Sequence, residues 1–361
     1  MELRKDRMTH RERIEALLRR EKPVRVPIWP IGGEAFAVIQ AGYPIANAFN
    51  NPEVCYAAHR KACEDFGWVF CPRMEFLSAW VLPWGGKVKY PEGQFSFTPM
   101  NARRAVETSE EAMKLQTPDV RTAEPMPLRM KFYNLSMSSR EPLDNKPWST
   151  TFMGALFSQA AEIPGVDIFC KWMIKNQDAA HHLLRLVTDF QIEQVEYWKD
   201  TFGIENVLPY LAEPSTANQI ISPRMFEQFQ LPYLKELTEK VLAMGFKTIL
   251  VHICGEQNAN LPYWAQVSFG DPGILSFGHE VDLETASEYF PNDIIFGNLE
   301  PATIQAGTPE EVYEASRKVI EKGKRIPSGF IFSSGCTFPP RAPRENVMAM
   351  TRAVNDFGWY E

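Results

Sequence analysis

The sequence contains no long hydrophobic run: no stretch of roughly 18 or more consecutive apolar residues occurs in its 361 residues. A helix that crosses a bilayer needs about 20 such residues, so a membrane span is not predicted. The opening residues are charged throughout and lack the apolar centre of a secretion signal. These absences predict a cytoplasmic protein with no membrane partner.

An excess of positive charge is also absent. Lys and Arg number 38 against 45 Asp and Glu, which gives a net charge of −7 and no indication of a nucleic-acid partner. The six cysteines of this long chain indicate buried thiols, catalytic thiols or metal ligands rather than a disulfide framework. With 45% hydrophobic residues, the composition is that of a globular protein, and we interpret residues 1–361 as a single domain.

Short apolar runs alternate with helical patterns in the C-terminal half. The runs at 247–255, 273–281, 293–301 and 329–336 suit strands that are buried on both faces of a parallel sheet. No G-x-G-x-x-G sequence follows a strand, which argues against a dinucleotide-binding sheet. The pattern predicts an α/β fold, a (β/α)8 TIM barrel closed by N-terminal strands. An open doubly wound sheet is the alternative.

Two segments depart from this alternation. The first ~20 residues predict an amphipathic helix, an N-terminal extension of the barrel. Residues 117–150 are dense in Pro, Met and Ser. We interpret them as an insertion, either a mobile surface loop or a lid over the site.

Histidine and cysteine side chains stand at the ends of two predicted strands. His252 and Cys254 are separated by one residue, and residues i and i+2 of a strand point to the same face. Cys336 ends another strand, where Gly335 removes side-chain bulk, and barrel enzymes place their chemistry at these ends. We expect two neighbouring strand ends to offer the three side chains to one Zn²⁺ with an open position. A core histidine beside a buried thiol is the alternative.

Several motifs resemble the uroporphyrinogen decarboxylase superfamily. They are HICG at 252–255, GNLEP at 297–301, GTPEEV at 307–312, GCTFPPRAPRENVMAM at 335–350 and ISPRMFEQFQLPYLKEL at 221–237. The combination of H-x-C-G with the late cysteine motif resembles the zinc-dependent branch of the superfamily, which contains methylcobamide:coenzyme M methyltransferases. The resemblance implies a TIM-barrel methyltransferase with His252, Cys254 and Cys336 as its zinc ligands.

The decarboxylases of the superfamily differ at two places. They lack the two metal cysteines, and they bind a multiply anionic porphyrinogen through an arginine-rich N-terminal segment. The corresponding residues here, 26–36, contain no arginine, so decarboxylation is not expected. The chain also lacks a D-x-H-x-x-G cobalamin-binding motif, so the resemblance implies that a partner corrinoid protein supplies the cobalamin.

Other polar residues at strand ends complete the predicted site. Glu213 aligns with an acidic position of the superfamily and is our prediction for a fourth ligand or acid–base group, with a structural carboxylate as the alternative. We predict that Glu300 and Asn298 orient substrate or support the metal ligands. His279, also at a strand end, is predicted to contact substrate.

Aromatic residues concentrate in the N-terminal half. We predict that Trp29, Glu75 and Trp80 line a substrate pocket, with burial of the tryptophans in the core as the alternative. This pocket favours transfer of a methyl group from a small donor, such as an aryl methyl ether, to cobalamin. The alternatives are transfer from methylcobalamin to a thiol such as coenzyme M, and a non-catalytic barrel that binds a corrinoid or tetrapyrrole. A homodimer is compatible with the sequence.

Overall fold

The computed structural model describes residues 6–74, 79–92, 97–138 and 148–360, and Glu75 lies outside them. The strands are β1 (Lys87–Lys89), β2 (Met100–Arg103), β3 (Ser149–Gly154), β4 (Val207–Ala212), β5 (Leu250–Ile253), β6 (Ile274–Phe277), β7 (Ile294–Leu299) and β8 (Phe330–Ser334). The helices are α1 (His10–Leu18), α2 (Glu34–Gln40), α3 (Asn47–Asn50), α4 (Pro52–Phe66), α5 (Ser109–Ala112), α6 (Met126–Ser138), α7 (Leu156–Glu162), α8 (Val166–Lys175), α9 (Gln177–Phe202), α10 (Pro223–Met225), α11 (Leu231–Ala243), α12 (Leu261–Trp264), α13 (Leu283–Tyr289), α14 (Pro301–Ala306), α15 (Pro309–Gly323) and α16 (Arg344–Phe357). Short 3₁₀ turns occupy Leu82–Trp84 and Asn258–Asn260.

Six of the strands form one parallel sheet in the order β3-β4-β5-β6-β7-β8. Each strand pairs with the strand that follows it in the sequence, because a helix-containing connection returns the chain to the start of the next strand. The remaining strands, β1 and β2, form a separate antiparallel hairpin.

Two N-terminal segments close this sheet into a barrel. Ile28 forms a parallel bridge to Phe332 of β8, and the amide of Val69 donates to the carbonyl of Ile28 at 2.8 Å. The amide of Thr150 in β3 donates in turn to the carbonyl of Pro72 at 3.1 Å. Segments around residues 28 and 69–72 thus stand between β8 and β3. The predicted TIM barrel is confirmed, and the open sheet is wrong because hydrogen bonds continue around both edges.

Alternate residues along the strands belong to two different hydrophobic clusters. Tyr210, Leu250, Ile274 and Ile294 are register partners in successive strands and share the inner cluster. Their neighbours Val251, Leu275 and Ile295 belong to the larger outer cluster, which the helices cover. The two-residue period of a strand therefore sorts the apolar residues between the barrel interior and the helical shell.

The predicted N-terminal extension is helix α1. It begins at a capping box in which Thr9 accepts from the amide of Glu12 and Glu12 accepts from the amide of Thr9. Ile14 and Leu17 belong to the inner cluster of the barrel, so the apolar face of α1 extends the packing of the strands.

The predicted insertion is less loop-like than the sequence indicated. Within it, α6 packs against α4 and β3 and buries five of its residues, Met126, Arg129, Phe132, Tyr133 and Ser136. A mobile excursion over 117–150 is therefore wrong for this helix, because apolar residues of the Pro- and Met-rich stretch join the outer core. Residues 139–147 lie outside the described part of the chain.

The longest of the helices given above is α9, and a π-helical turn, Phe226–Gln230, lies between α10 and α11. Across the described ranges, no helix combines the length and the apolar character that a bilayer crossing requires.

Because Leu17 is only 1% exposed within the inner cluster, we expect Leu17→Ala to lower the free energy of unfolding by about 2–5 kcal/mol through the cavity it leaves. Urea denaturation measures this change. Ile174→Ala is the control, since Ile174 is 66% exposed and its truncation should cost no more than about 0.5 kcal/mol. Equal losses in the two variants would contradict the packing described for α1.

Candidate metal centre

The strand β5 directs His252 into the barrel mouth, the rim formed by the carboxyl ends of the strands. His252 is the register partner of Ala212 in β4 and of Ser276 in β6, both of which are buried. Cys254 stands two residues further along, one residue beyond the end of β5. Cys336 follows β8 at the same rim.

The three side chains converge as predicted, although their strands are not neighbours. The sheet places β6 and β7 between β5 and β8, so the expected adjacency is wrong. The closed curvature of the barrel nevertheless brings the Sγ atoms of Cys254 and Cys336 to 3.6 Å from each other. One ligand atom from each of His252, Cys254 and Cys336 lies within 4.8 Å of the other two. That distance allows all three atoms to reach one ion.

Two glycines allow the loops at this rim to pack closely against each other. A Cβ atom on Gly278, after β6, would lie 2.8 Å from the carbonyl oxygen of Gly255. A Cβ atom on Gly335 would lie 2.7 Å from the amide nitrogen of His279 and 3.1 Å from the carbonyl oxygen of Asn298. Real Cβ atoms essentially never make contacts under 3.0 Å, so side chains at these two positions would push the loops that carry Cys254 and Cys336 away from their neighbours.

The imidazole of His252 is oriented for metal binding. Its Nδ1 lies 3.0 Å from the hydroxyl oxygen of Ser276, while its Nε2 is buried with no hydrogen-bond partner. If Nδ1 carries the proton and donates a hydrogen bond to Ser276, Nε2 has a lone pair available for a metal ion shared with the two sulfurs. A buried polar atom without a partner is costly, and a metal ion would satisfy it. The donor set of one imidazole and two thiols therefore fits Zn²⁺.

The two cysteine thiols shift each other's ionisation in opposite directions. The sulfur–sulfur contact with Cys254 lowers the pKa of Cys336 below its ordinary value. The same contact, together with burial, raises the pKa of Cys254 well above its ordinary value. One thiolate is thus favoured by the protein itself, and a cation between the sulfurs would also ionise Cys254.

The structure places Glu213 directly after β4, fully buried. Its carboxylate accepts from the amides of Phe157 and Ser158 at 3.2 and 3.4 Å, the first turn of α7. Burial raises the pKa of Glu213 to about 7, against these hydrogen bonds, which lower it. The carboxylate is therefore engaged by a helix N-terminus and is not part of the three-residue cluster. A ligand role for Glu213 stays a prediction.

Three more predicted residues lie at the rim. The side-chain amide of Asn298 is buried and donates to the carbonyls of Gly278 and Val281 at 3.0 and 2.7 Å, so it holds the loop after β6. Its contact is with backbone. His279 and Glu300 are partly exposed, and the Nε2 of His279 lies 3.7 Å from Oε1 of Glu300.

The predicted aromatic pocket residues are core residues in the described structure. Trp29 is 3% exposed and packs on Phe296 inside the barrel, with ring centroids 5.4 Å apart. Trp80 is 5% exposed and belongs to the same inner cluster. Both tryptophans are therefore buried in the core, which was the alternative interpretation. Apolar rings fill the interior of a barrel of this size.

Sequence reasoning missed two buried polar groups near the rim. Ser276, which orients His252, is recognisable only from the strand register. Arg73 and Glu34 form a buried ion pair with Nε to Oε1 at 2.7 Å, and the Arg73 guanidinium lies over the ring of Tyr210, 5.0 Å from its centroid. Nothing in the local sequence links residues 34 and 73, because barrel closure alone brings their segments together.

The fold and the site thus define an α/β barrel with a His-Cys-Cys centre at its mouth. The family model named Uroporphyrinogen decarboxylase (URO-D) matches residues 9–357, and the chain belongs to this family.

Several known proteins that resemble the chain are methyltransferases by name, and others are named uroporphyrinogen decarboxylase. The chain is 30% identical over 206 residues to a methylcobamide:CoM methyltransferase, MtbA, of Methanosarcina acetivorans, covering 56% of each chain. It is 29% identical over 205 residues to a methylated-thiol–coenzyme M methyltransferase of Methanosarcina mazei, covering 56% of this chain and 51% of that one. These matches span about half the length of the relatives. A solved structure of a methyltransferase from Methanosarcina mazei has the same fold, with a TM-score of 0.81, 21% identity and coverage of 97% of this chain and 99% of that one.

We expect Gly278→Ala to weaken zinc binding about tenfold or more, because the added Cβ would displace the loop that carries Cys254. Competition with a chromogenic chelator measures the affinity. Gly33→Ala is the control, since the nearest atom to its added Cβ lies at an ordinary contact distance of 3.5 Å. Unchanged zinc affinity in Gly278→Ala would contradict the role given to this close approach.

Proposed function

We propose that this chain is a zinc-dependent methyltransferase that exchanges a methyl group between the cobalamin of a partner corrinoid protein and a small molecule. The convergence of His252, Cys254 and Cys336, with the Nε2 atom of His252 left without a partner, is the observation that carries the proposal. The name of the methylcobamide:CoM methyltransferase supports the corrinoid-linked reaction.

The three side chains would hold zinc through one nitrogen and two sulfurs, which leaves a fourth position for a substrate. Zinc bound there supplies Lewis acidity, which lowers the pKa of a thiol or makes a methylated atom a better leaving group. Thiolate ligands also favour zinc over harder cations such as Mg²⁺. The protein's part is to hold the ligands, orient the substrate and accept or donate its proton.

A thiol is the substrate that best suits this centre, and the substrate named for both relatives is a coenzyme M or methylated thiol. When the methyl group passes from the partner's cobalamin to the thiol, the substrate sulfur loses a proton and bonds to the methyl carbon. The bond from that carbon to cobalt breaks, and its electron pair stays on cobalt. His279 and Glu300, partly exposed at the rim, offer an imidazole nitrogen and a carboxylate oxygen to that proton. Glu213 is the deeper carboxyl, already hydrogen-bonded to α7.

A methoxyarene is the second candidate substrate, and an apolar cavity that reaches the residue after Cys336 favours it. This cavity has a volume of about 160 Å³, close to that of a cavity that binds benzene. Its wall includes the rings of Phe49 and Phe97, together with Thr337, the residue after Cys336. Here the methyl group would leave an aryl ether oxygen for the cobalamin of the partner.

The other roles considered for this barrel have less support. A porphyrinogen needs several free cations, whereas the buried Arg73 at the mouth is paired with Glu34. A non-catalytic corrinoid or tetrapyrrole binder would have no use for a centre with a metal-oriented imidazole. The homodimer and the cytoplasmic location stay predictions.

The metal is tested by elemental analysis of the purified protein. We expect about one zinc per chain, lost in Cys336→Ser because two remaining ligands bind the ion far more weakly. Cys170→Ser is the control, since Cys170 lies partly exposed on α8 away from the three-residue cluster. Zinc retained in Cys336→Ser, or absent from the unmodified protein, would contradict the proposed centre.

The direction of methyl transfer, and with it the substrate, is tested by following the absorbance of cobalamin. We expect the zinc-loaded protein to demethylate methylcobalamin with coenzyme M or a related thiol, and Cys336→Ser to lower that rate at least about 100-fold. A methoxyarene with reduced cobalamin is the parallel assay. Activity with methoxyarenes alone would show that the aryl ether, and not the thiol, is the substrate. Tetrapyrrole binding without either activity would favour the binding protein.

A further inference from the structure

The loop that carries Cys254 is held by buried side chains rather than by strand pairing. Strand β5 ends at Ile253, so the backbone of Cys254 lies beyond the last pair of the sheet. Its carbonyl accepts instead from the side-chain amide of Gln257 at 3.2 Å. The position of a metal ligand therefore depends on a residue that does not touch the metal position.

Gln257 is a fully buried amide with every hydrogen-bonding position in use. Its Nε2 donates to the carbonyl of Cys254 and to the hydroxyl of Thr216, the latter at 3.0 Å. Its Oε1 accepts from the amide of Asn260 at 2.9 Å and from the indole nitrogen of Trp264 at 3.1 Å. An amide has two donors and two acceptor lone pairs, so Gln257 is saturated and its orientation is unique.

The network also joins the loops after β4 and β5. The hydroxyl of Thr216 donates to the carbonyl of Glu213 at 3.1 Å, and Asn260 donates to the carbonyl of Thr216 at 2.9 Å. Thr216, Gln257, Asn260 and Trp264 are all fully buried. Gln257 and Thr216, whose hydrogen bonds are buried, therefore tie the loop after β4 to the loop after β5.

We propose that Gln257 is a positioning residue of the metal centre, which holds Cys254 where it can share an ion with His252 and Cys336. The inference rests on the proposed function insofar as it assumes a bound metal. Supporting groups behind metal ligands commonly change metal affinity by about 10–100-fold. Gln257 fits this role because it bonds both to the carbonyl of Cys254 and to the indole of Trp264 at the end of α12, so it anchors the loop after β5 to that helix.

The test is the rate at which the zinc-loaded protein releases its metal to an excess of chromogenic chelator. We expect Gln257→Ala to release zinc at least about tenfold faster than the unmodified protein. Asn346→Ala is the matched control: Asn346 is a buried amide that donates to the carbonyls of Ile304 and Gly307 at 2.9 and 2.8 Å, in helix α14 and at its C-terminal cap, where no proposed metal ligand lies. It should lose comparable stability, measured by urea unfolding, and release zinc within about twofold of the unmodified rate.

A second variant keeps the inference testable if Gln257→Ala does not fold. Thr216→Val preserves the shape of the side chain and removes the hydroxyl that Gln257 donates to, so we expect a smaller acceleration, of about threefold. Zinc release at the unmodified rate in both variants would overturn the inference. Equal acceleration in Asn346→Ala would also overturn it, because loss of stability would then account for the effect. A protein that holds no zinc at all would contradict the proposed function together with this inference, whereas zinc held equally well by every variant contradicts this inference alone.

Discussion

The closure of the barrel is the constraint on which the site depends. In an open parallel sheet, β5 and β8 would be separated by two intervening strands, at roughly 4.8 Å per strand, and their cysteines could not share an ion. Hydrogen bonds through residues 28 and 69–72 join β8 to β3 and force the sheet to curve. Glycines at the rim then allow the loops to pack closely, and the Sγ atoms of Cys254 and Cys336 lie 3.6 Å apart. A global feature of the chain thus sets a local distance.

The polar groups around the centre divide into two kinds. Ser276, Asn298 and Gln257 bond to an imidazole or to backbone carbonyls, and they fix where the ligands and loops lie. His279 and Glu300 are partly exposed at the rim, with 3.7 Å between Nε2 and Oε1. The proposed reaction at an open metal position needs such a combination of fixed ligands and accessible polar groups.

The same family includes decarboxylases by name, and the residues at the mouth explain how one barrel serves different chemistry. A polyanionic substrate calls for several unpaired cations. Here the buried guanidinium of Arg73 is balanced by Glu34 and lies over Tyr210, while the imidazole and two thiols converge elsewhere on the rim. The barrel supplies a common frame, and in the function proposed here the side chains at its strand ends favour a soft metal ion over a polyanion.

The sequence by itself determined the barrel class, the N-terminal helix and the three converging residues. Strand periodicity and the i, i+2 spacing of His252 and Cys254 are local properties, and Cys336 was identified because it lies within one of the family motifs. Only the tertiary structure decided that β5 and β8 are not neighbours, that Trp29 and Trp80 are core residues, and that α6 packs as part of the shell. It also decided the supports, Ser276 and Gln257, because a hydrogen bond between strands or across a loop depends on register and closure. Such contacts join residues whose local sequence carries no sign of their partner.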